Sequence, residues 1–142
     1  MKTLGGTALA SAPEAMAQAM TRQRILIIED ERALTDVLTY NFQREGYETI
    51  LAHDGKEGLR KAQTLLPDII VLDLMLPVMN GLEEARYLKK LMPAVPVIIY
   101  TVHSDPFVEK EARSAGAFAV VSKSESAGTL IAAARSVFEQ VQ

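Results

Sequence analysis

The chain has 142 residues, the usual size of a single domain, and its hydrophobic fraction of 49% excludes a mainly disordered protein. It contains no cysteine, which excludes disulfides and thiolate metal sites. With 15 Lys and Arg against 18 Asp and Glu, it lacks the basic excess typical of nucleic-acid-binding domains, and no apolar run approaches the roughly 20 residues that span a membrane.

Residues 1–22 form a predicted flexible extension, and residues 23–142 form the predicted domain. The first 21 residues contain six alanines, two glycines and few large hydrophobic side chains. A secretory signal peptide is the alternative, since Lys2 precedes a mildly apolar stretch, but that stretch is short. Met20 is a hypothetical natural start.

From Arg24 onward, strand and helix patterns alternate. Runs rich in β-branched residues predict strands, and apolar residues at helical spacing predict helices. The predicted strands cover residues 25–28, 47–52, 69–72, 97–100 and 118–121. The predicted helices cover residues 34–45, 56–66, 82–92, 106–115 and 130–141, and the fourth has a thin apolar face.

Five β-α units with short connections predict an α/β fold with a parallel sheet and right-handed crossovers. The expected architecture is a single doubly wound, flavodoxin-like domain with five strands in the order 2-1-3-4-5. Sheets of this kind place their functional site beyond the carboxyl ends of the strands, between strands 1 and 3. The residues that follow each strand are therefore the candidates for function.

Polar side chains follow the strands at this edge: Glu29 and Asp30 after the first, Asp73 after the third, Thr101 at the end of the fourth and Lys123 after the fifth. Because strands 1 and 3 are predicted neighbours, Asp30 and Asp73 should converge. Repulsion between such carboxylates is relieved by a hard divalent cation, and Mg²⁺ prefers oxygen ligands. Each residue also has an ordinary structural alternative, as a helix-start acid, a turn hydroxyl or a surface charge.

Four segments carry a resemblance to a known family. They are ILIIEDE at residues 25–31, IIVLDLMLPVMNG at 69–81, IIYT at 98–101 and VVSK at 120–123. Over about residues 24–142 the sequence resembles the receiver domain of two-component response regulators. The most specific element runs from Asp73 through Pro77 to Gly81.

The resemblance implies an Mg²⁺ site and a phosphorylation site. Asp73 would be the phosphoacceptor, a carboxylate nucleophile that forms an aspartyl phosphate. Asp30 would bind Mg²⁺ directly and Glu29 through water. Asp73 and the main-chain carbonyl of Met75 would complete the protein ligands.

Further residues would serve the phosphoryl group. Lys123 would pair first with Asp73 and then with a phosphoryl oxygen, and Thr101 would donate its hydroxyl to the phosphoryl group. Pro77 and Gly81 would shape the loop after strand 3. The residues Met75 and His103 would flank the path of the hydrolytic water and tune the lifetime of the phosphoryl group.

The resemblance also implies partners. The phosphodonor would be a histidine kinase or a histidine phosphotransfer protein. A downstream protein would bind the face made by helix 4, strand 5 and helix 5, and no direct contact with nucleic acid or membrane is expected. The chain would be a cytoplasmic signalling phosphoacceptor that catalyses only its own phosphorylation and dephosphorylation, either stand-alone or part of a longer regulator.

Three positions depart from the family pattern. Ser124 follows Lys123 where proline is common, which should loosen that loop. Val102 stands where a small residue is usual and would crowd access to the site. Val120 replaces an aromatic residue that moves on activation, and Phe118, expected on the same side of the strand, is too far from its carboxyl end to substitute. We therefore expect a smaller rearrangement, carried by the loop before helix 4.

Three other functions are alternatives to this interpretation. A phosphatase of the haloacid-dehalogenase type would have its nucleophile after strand 1, in a spacing that Glu29, Asp30 and Glu31 do not provide. A flavin or dinucleotide binder would have a glycine- or hydroxyl-rich turn there, and this turn is acidic. A receiver-like interaction module that works without phosphorylation is the remaining alternative, based on Val102 and Val120.

Overall fold

The computed structural model describes Pro13, residues 22–76 and residues 79–140. The strands are β1 (Arg24–Ile28), β2 (Glu48–Ala52), β3 (Ile69–Leu72), β4 (Val97–Thr101) and β5 (Ala119–Ser122). The helices are α1 (Arg32–Arg44), α2 (Gly55–Leu65), α3 (Gly81–Leu91), α4 (Pro106–Ser114) and α5 (Ala127–Gln140). The predicted extension lies outside the described residues apart from Pro13 and Arg22, so its boundary stays a prediction.

The five strands form one parallel sheet in the order β2-β1-β3-β4-β5. The predicted fold class and strand order are confirmed. At the carboxyl end of β1, Ile28 pairs with Ala52 of β2 on one side and with Leu72 of β3 on the other. The residues that follow β1 and β3 therefore leave the sheet side by side, at the point where the strand order reverses.

The sheet is covered on both faces, which explains the nearly continuous apolar runs in its central strands. Alternate residues of β1 point to opposite faces of the sheet. Ile25 and Ile27 pack in one core cluster, and Leu26 and Ile28 pack in the other. The first cluster contains side chains of α1 and α5, and the second contains side chains of α2, α3 and α4. The polar strand ends thus lie at the edge of a packed core.

Most element boundaries match the predictions within a residue or two. Helix α2 ends at Leu65 rather than residue 66, because Leu66 adopts a left-handed backbone (φ 50°) that closes the helix. Strand β5 begins and ends one residue later than predicted. Helix α4 buries only Ala112, as its thin apolar face predicted, and Phe107 is exposed.

The expected position of Phe118 was wrong. Phe118 packs against the cluster on the α1 and α5 side, whereas Val120 packs against the opposite cluster. Phe118 precedes β5 and shares its face with the next residue, Ala119, so the alternation of a pleated strand does not extend back to it. The conclusion that Phe118 cannot substitute for an aromatic residue at Val120 therefore rests on the side of the sheet.

Within the described part of the chain, no helix combines the length and the hydropathy needed to cross a bilayer.

Candidate functional site

Three carboxylates meet at the carboxyl ends of β1 and β3. The Asp73 N–H donates to the carbonyl of Ile28 at 3.1 Å, which ties the chain after β3 to the end of β1. One carboxylate oxygen from each of Glu29, Asp30 and Asp73 lies within 4.8 Å of the other two. The predicted convergence of Asp30 and Asp73, with Glu29 beside them, is confirmed.

Local backbone groups hold two of these carboxylates. The Met75 N–H donates to Asp73 Oδ1 at 3.2 Å, and the Glu31 N–H donates to Glu29 Oε2 at 3.1 Å. Glu29 and Asp73 are buried, whereas Asp30 is exposed. The cluster therefore has two fixed inner carboxylates and one outer carboxylate that faces solvent.

The Lys123 ammonium lies inside this acidic cluster. Its Nζ is 2.6 Å from Glu29 Oε1 and 3.2 Å from Asp73 Oδ2, with little of any of the three side chains exposed. The backbone N–H of Lys123 donates to the backbone carbonyl of Thr101 at 2.8 Å, and this bond positions the Cα from which the lysine side chain extends. The expected pairing with Asp73 is observed, and the contact with Glu29 is shorter.

The charges in the cluster depend on one another. Burial raises the pKa of Glu29, and the negative charge of Asp73 adds to this, while contacts with Lys123 and the Glu31 N–H act in the opposite direction. Burial lowers the pKa of Lys123, but the bond to Glu29 and the charges of Asp73 and Glu29 outweigh it and raise the pKa overall. Lys123 is therefore held in its charged form by the carboxylates around it.

Thr101 ends β4 and is fully buried. Its Oγ1 accepts a hydrogen bond from the His103 N–H at 3.1 Å. A hydroxyl that accepts one bond retains its own proton for donation to a second acceptor. Thr101 pairs with Ser122, the last residue of β5, and Lys123 follows directly, so the hydroxyl and the ammonium come from the ends of adjacent strands.

Gly81 allows α3 to begin against the backbone that follows Asp73. A Cβ at this position would lie 2.4 Å from Leu74 Cα and 2.7 Å from the Asp73 carbonyl oxygen. The Gly81 N–H donates to the Leu74 carbonyl at 3.1 Å. The predicted shaping role of Gly81 thus has a steric basis, while Pro77 lies outside the described residues.

The remaining predicted positions lie on the rim of the site. The side chains of Met75, Val102 and His103 are exposed. The role of the Met75 carbonyl as a metal ligand and the effect of Val102 on access stay predictions. The loosening expected from Ser124 is opposed by two contacts: its N–H donates to Ser122 Oγ at 3.1 Å, and the two hydroxyls lie 2.7 Å apart.

The donor set fits Mg²⁺. Carboxylate oxygens are the hard ligands that this ion prefers, and an exposed Asp30 leaves room for the waters that it retains. The ammonium of Lys123 supplies positive charge at the inner side of the same cluster. The described residues therefore suit an ion bound at the outer, solvent-facing side.

One buried acid was missed by the sequence analysis. Glu84 of α3 is fully buried, although adjacent acids at a helix start are usually exposed. The sequence feature that indicates its burial is its position three residues after Gly81 and four before Leu88, both of which are buried on the same face of the helix.

Comparisons with known proteins agree with this geometry. A family model described as the response regulator receiver domain matches residues 25–135. The alkaline phosphatase synthesis transcriptional regulatory protein PhoP of Bacillus subtilis (strain 168) is 40% identical over 85 residues, which cover 60% of this chain and 35% of PhoP. The DNA-binding response regulator MtrA of Mycobacterium tuberculosis (strain ATCC 25618 / H37Rv) is 39% identical over 84 residues, covering 59% of this chain and 36% of MtrA.

These alignments span about a third of the length of the curated relatives. The name of MtrA describes it as DNA-binding, which leaves the expectation of no nucleic-acid contact unsupported for a longer protein that contains this region.

Solved structures share the fold over most of the chain. A CheY-like receiver domain protein from Methanospirillum hungatei JF-1 superposes with a TM-score of 0.80 at 28% identity, covering 84% of this chain and 96% of that one. The receiver domain of the Francisella response regulator 1452 gives a TM-score of 0.80 at 26% identity, covering 85% and 100%. The family match, together with a sheet that brings Glu29, Asp30, Asp73 and Lys123 to one edge, shows that this chain belongs to the response regulator receiver domain family.

Proposed function

We propose that the chain is a phosphoacceptor that receives a phosphoryl group on Asp73 from a phosphohistidine of a partner protein. A carboxylate oxygen of Asp73 attacks phosphorus, an O–P bond forms, and the P–N bond breaks with its electron pair passing to the imidazole nitrogen. The observation that supports this proposal most strongly is the buried Asp73 carboxylate. It accepts a hydrogen bond from the Met75 N–H, pairs with Lys123 and lies beside two further carboxylates.

The local contacts suit Asp73 to the role of nucleophile. The Met75 N–H at Oδ1 and the Lys123 ammonium near Oδ2 fix the direction of the carboxylate before any donor arrives. Orientation of this kind lowers the entropic cost of the transfer.

Residues Asp30, Glu29 and Asp73, with the Met75 carbonyl, would hold Mg²⁺. The bound ion would supply positive charge to the phosphoryl oxygens and screen the carboxylates from the incoming phosphate. Asp30, being exposed, is the carboxylate most open to an ion from solvent. We therefore expect the transfer to depend on Mg²⁺.

Lys123 and Thr101 would bind the oxygens of the phosphoryl group once it is on Asp73. Lys123 is the cation already placed between Glu29 and Asp73, so its ammonium can follow negative charge from the Asp73 carboxylate to a phosphoryl oxygen. The Thr101 hydroxyl retains a proton to donate while it accepts from His103. Movement of the Lys123 ammonium and of the Thr101 hydroxyl toward the phosphoryl group would change the surface around β4 and β5.

The donor would be a histidine kinase or a histidine phosphotransfer protein, and the output would be a protein that binds the face of α4, β5 and α5. The thin apolar contact of α4, which buries only Ala112, supports a surface that is easily rearranged. The proposal includes a cytoplasmic location, which fractionation of cells would test.

Intact mass spectrometry tests the proposal. We expect the protein to gain one phosphoryl group after incubation with a small acyl-phosphate donor and Mg²⁺, and Asp73→Asn to gain none. A protein of unchanged mass under these conditions would favour an interaction module that works without phosphorylation. Val120 supports that second candidate, because a short β-branched side chain cannot sweep the volume of an aromatic ring.

A further inference from the structure

The interface between α2 and α3 contains a buried carboxylic acid. Glu84 has 0% of its surface exposed, and neither of its carboxylate oxygens has a hydrogen-bond partner among the described residues. A carboxylate in such surroundings is strongly disfavoured in its charged form. A protonated carboxyl tolerates an apolar interface far better.

The carboxyl group lies against the first turn of α2. A Cβ added to Gly55 would lie 2.6 Å from Glu84 Oε1, and one added to Gly58 would lie 3.1 Å from Oε2. The two glycines thus leave the space that the carboxyl group fills. Any larger residue at Gly55 would displace Glu84 or separate the helices.

The described groups around Glu84 offer no compensating positive charge. The neighbouring Ile28 of β1 and Met79 before α3 are apolar. The carboxylate of Asp54, the N-cap residue of α2, has the same sign of charge as an ionised Glu84. Lys61 of α2 forms its ion pair with Glu57, at 3.2 Å. Among the described residues, no ion pair joins Glu84 to the other basic residues of α2 and α4, which are Lys56, Arg60, Lys110 and Arg113. Glu109 and Glu111 of α4 are themselves acids.

We propose that Glu84 is a proton-controlled packing residue: α3 packs against α2 with the Glu84 carboxyl protonated, and loss of that proton weakens the contact between the two helices. Burial, and after it the negative charge of Asp54, raise the pKa of Glu84 to about 7. The folded state therefore binds one proton more than the unfolded state between the ordinary value of 4.5 and about 7. Stability consequently falls as the pH rises through this range.

The interface is connected to the chain beside Asp73. Gly81, the first residue of α3, lies one turn before Glu84 and donates its N–H to the Leu74 carbonyl at 3.1 Å. A shift of the α3 start would therefore move the backbone that follows Asp73. The proposal concerns packing and does not depend on phosphorylation.

The test is an NMR titration of the protein labelled with ¹³C at the glutamate carboxyl carbons. We expect one carboxyl signal with a midpoint near pH 7 that is lost in Glu84→Gln and kept in Glu83→Gln, the control on the exposed face of α3. The amide signals of Gly55, Gly58 and Gly81 should shift with the same midpoint. Carboxyl carbons report glutamate ionisation directly, which separates it from that of the histidines.

Urea unfolding provides an independent readout. The wild-type midpoint should fall between about pH 5 and about pH 8, and the Glu84→Gln midpoint should fall less, because the amide cannot ionise. The proposal is overturned if the Glu84 carboxyl titrates near its ordinary pKa of 4.5, or if the amides of α2 do not respond to its titration. If Glu84→Gln fails to fold, sequential assignment of the Glu84 signal in the wild-type protein still gives one of these results.

Discussion

Lys123 Nζ lies 2.6 Å from Glu29 Oε1, so a lysine after β5 pairs with a carboxylate after β1. Strands β3 and β4 lie between these two strands, and the lysine side chain therefore spans the carboxyl edge of the sheet. Its ammonium also lies 3.2 Å from Asp73 Oδ2. One cation thus neutralises two buried carboxylates that would otherwise repel each other.

Removal of this cation should destabilise the fold. We expect Lys123→Ala to lower the free energy of unfolding at neutral pH by about 3–5 kcal/mol, because it leaves buried carboxylates without compensation. Urea unfolding measures the loss. The control is Arg135→Ala, which removes an ion pair of the same 2.6 Å length between exposed side chains and should cost about 1 kcal/mol or less. Equal losses in the two variants would contradict the account, and Mg²⁺ should restore part of the loss in Lys123→Ala.

Asp30 should be needed for the metal but not for the fold. Asp30→Asn removes a negative charge from a crowded cluster, so its thermal stability should equal or exceed that of the wild type. Mg²⁺ affinity, measured by titration calorimetry, and Mg²⁺-dependent phosphorylation should both be lost. Asp36→Asn, an exposed acid on α1, is the control and should retain both. A normal phosphorylation rate in Asp30→Asn would show that the metal assignment is wrong.

Gly81 should not tolerate a side chain. The Cβ of Gly81→Ala would meet the backbone of Asp73 and Leu74, which cannot move aside as a flexible side chain can, so we expect a loss of about 1–3 kcal/mol. Gly128→Ala in α5 is the control, because its nearest contact would be Ser126 Oγ at an acceptable 3.4 Å. That variant should be neutral or slightly stabilising. Scanning calorimetry of both variants measures these changes in stability. A melting temperature of Gly81→Ala equal to that of the wild type would contradict the close approach of Gly81 to the backbone of Asp73 and Leu74.

The response to phosphorylation should be concentrated in the loop before α4 and in α4 itself. Thr101 and the His103 N–H are joined at 3.1 Å, so movement of the hydroxyl toward a phosphoryl group pulls on this loop, and α4 is held by few buried side chains. We expect NMR relaxation dispersion and chemical-shift changes on addition of an acyl-phosphate analogue at residues 103–115. Lys123→Ala should still be phosphorylated but should lose these shifts. Changes confined to the immediate neighbours of Asp73 would contradict this route.

The sequence predicted the strands and the acidic cluster correctly, because each depends on a single local pattern of residues. Continuous β-branched runs predict buried parallel strands, and polar residues directly after them must meet at the carboxyl edge, so Glu29, Asp30 and Asp73 were found together. The contacts of the long Lys123 side chain were harder to predict, because the strand pattern does not determine its rotamer. The closer contact with Glu29 depends on the three-dimensional spacing of four strands.

Two further features were beyond the sequence patterns. Phe118 lies just before β5, where strand alternation no longer determines the direction of a side chain. Glu84 was missed because residue type suggested exposure, whereas its helical position determined burial against Gly55 and Gly58. In both cases tertiary packing outweighed the local preference.

The central claim is that a phosphoryl group forms on the Asp73 carboxylate, and locating that group by chemistry tests it most directly. The protein would be incubated with an acyl-phosphate donor and Mg²⁺, treated with borohydride to reduce the acyl phosphate to an alcohol, and mapped by peptide mass spectrometry. We predict that Asp73 alone is converted to homoserine, and only in the sample containing Mg²⁺. Conversion of Asp30 or Glu29 instead, or no conversion at any carboxylate, would contradict the account.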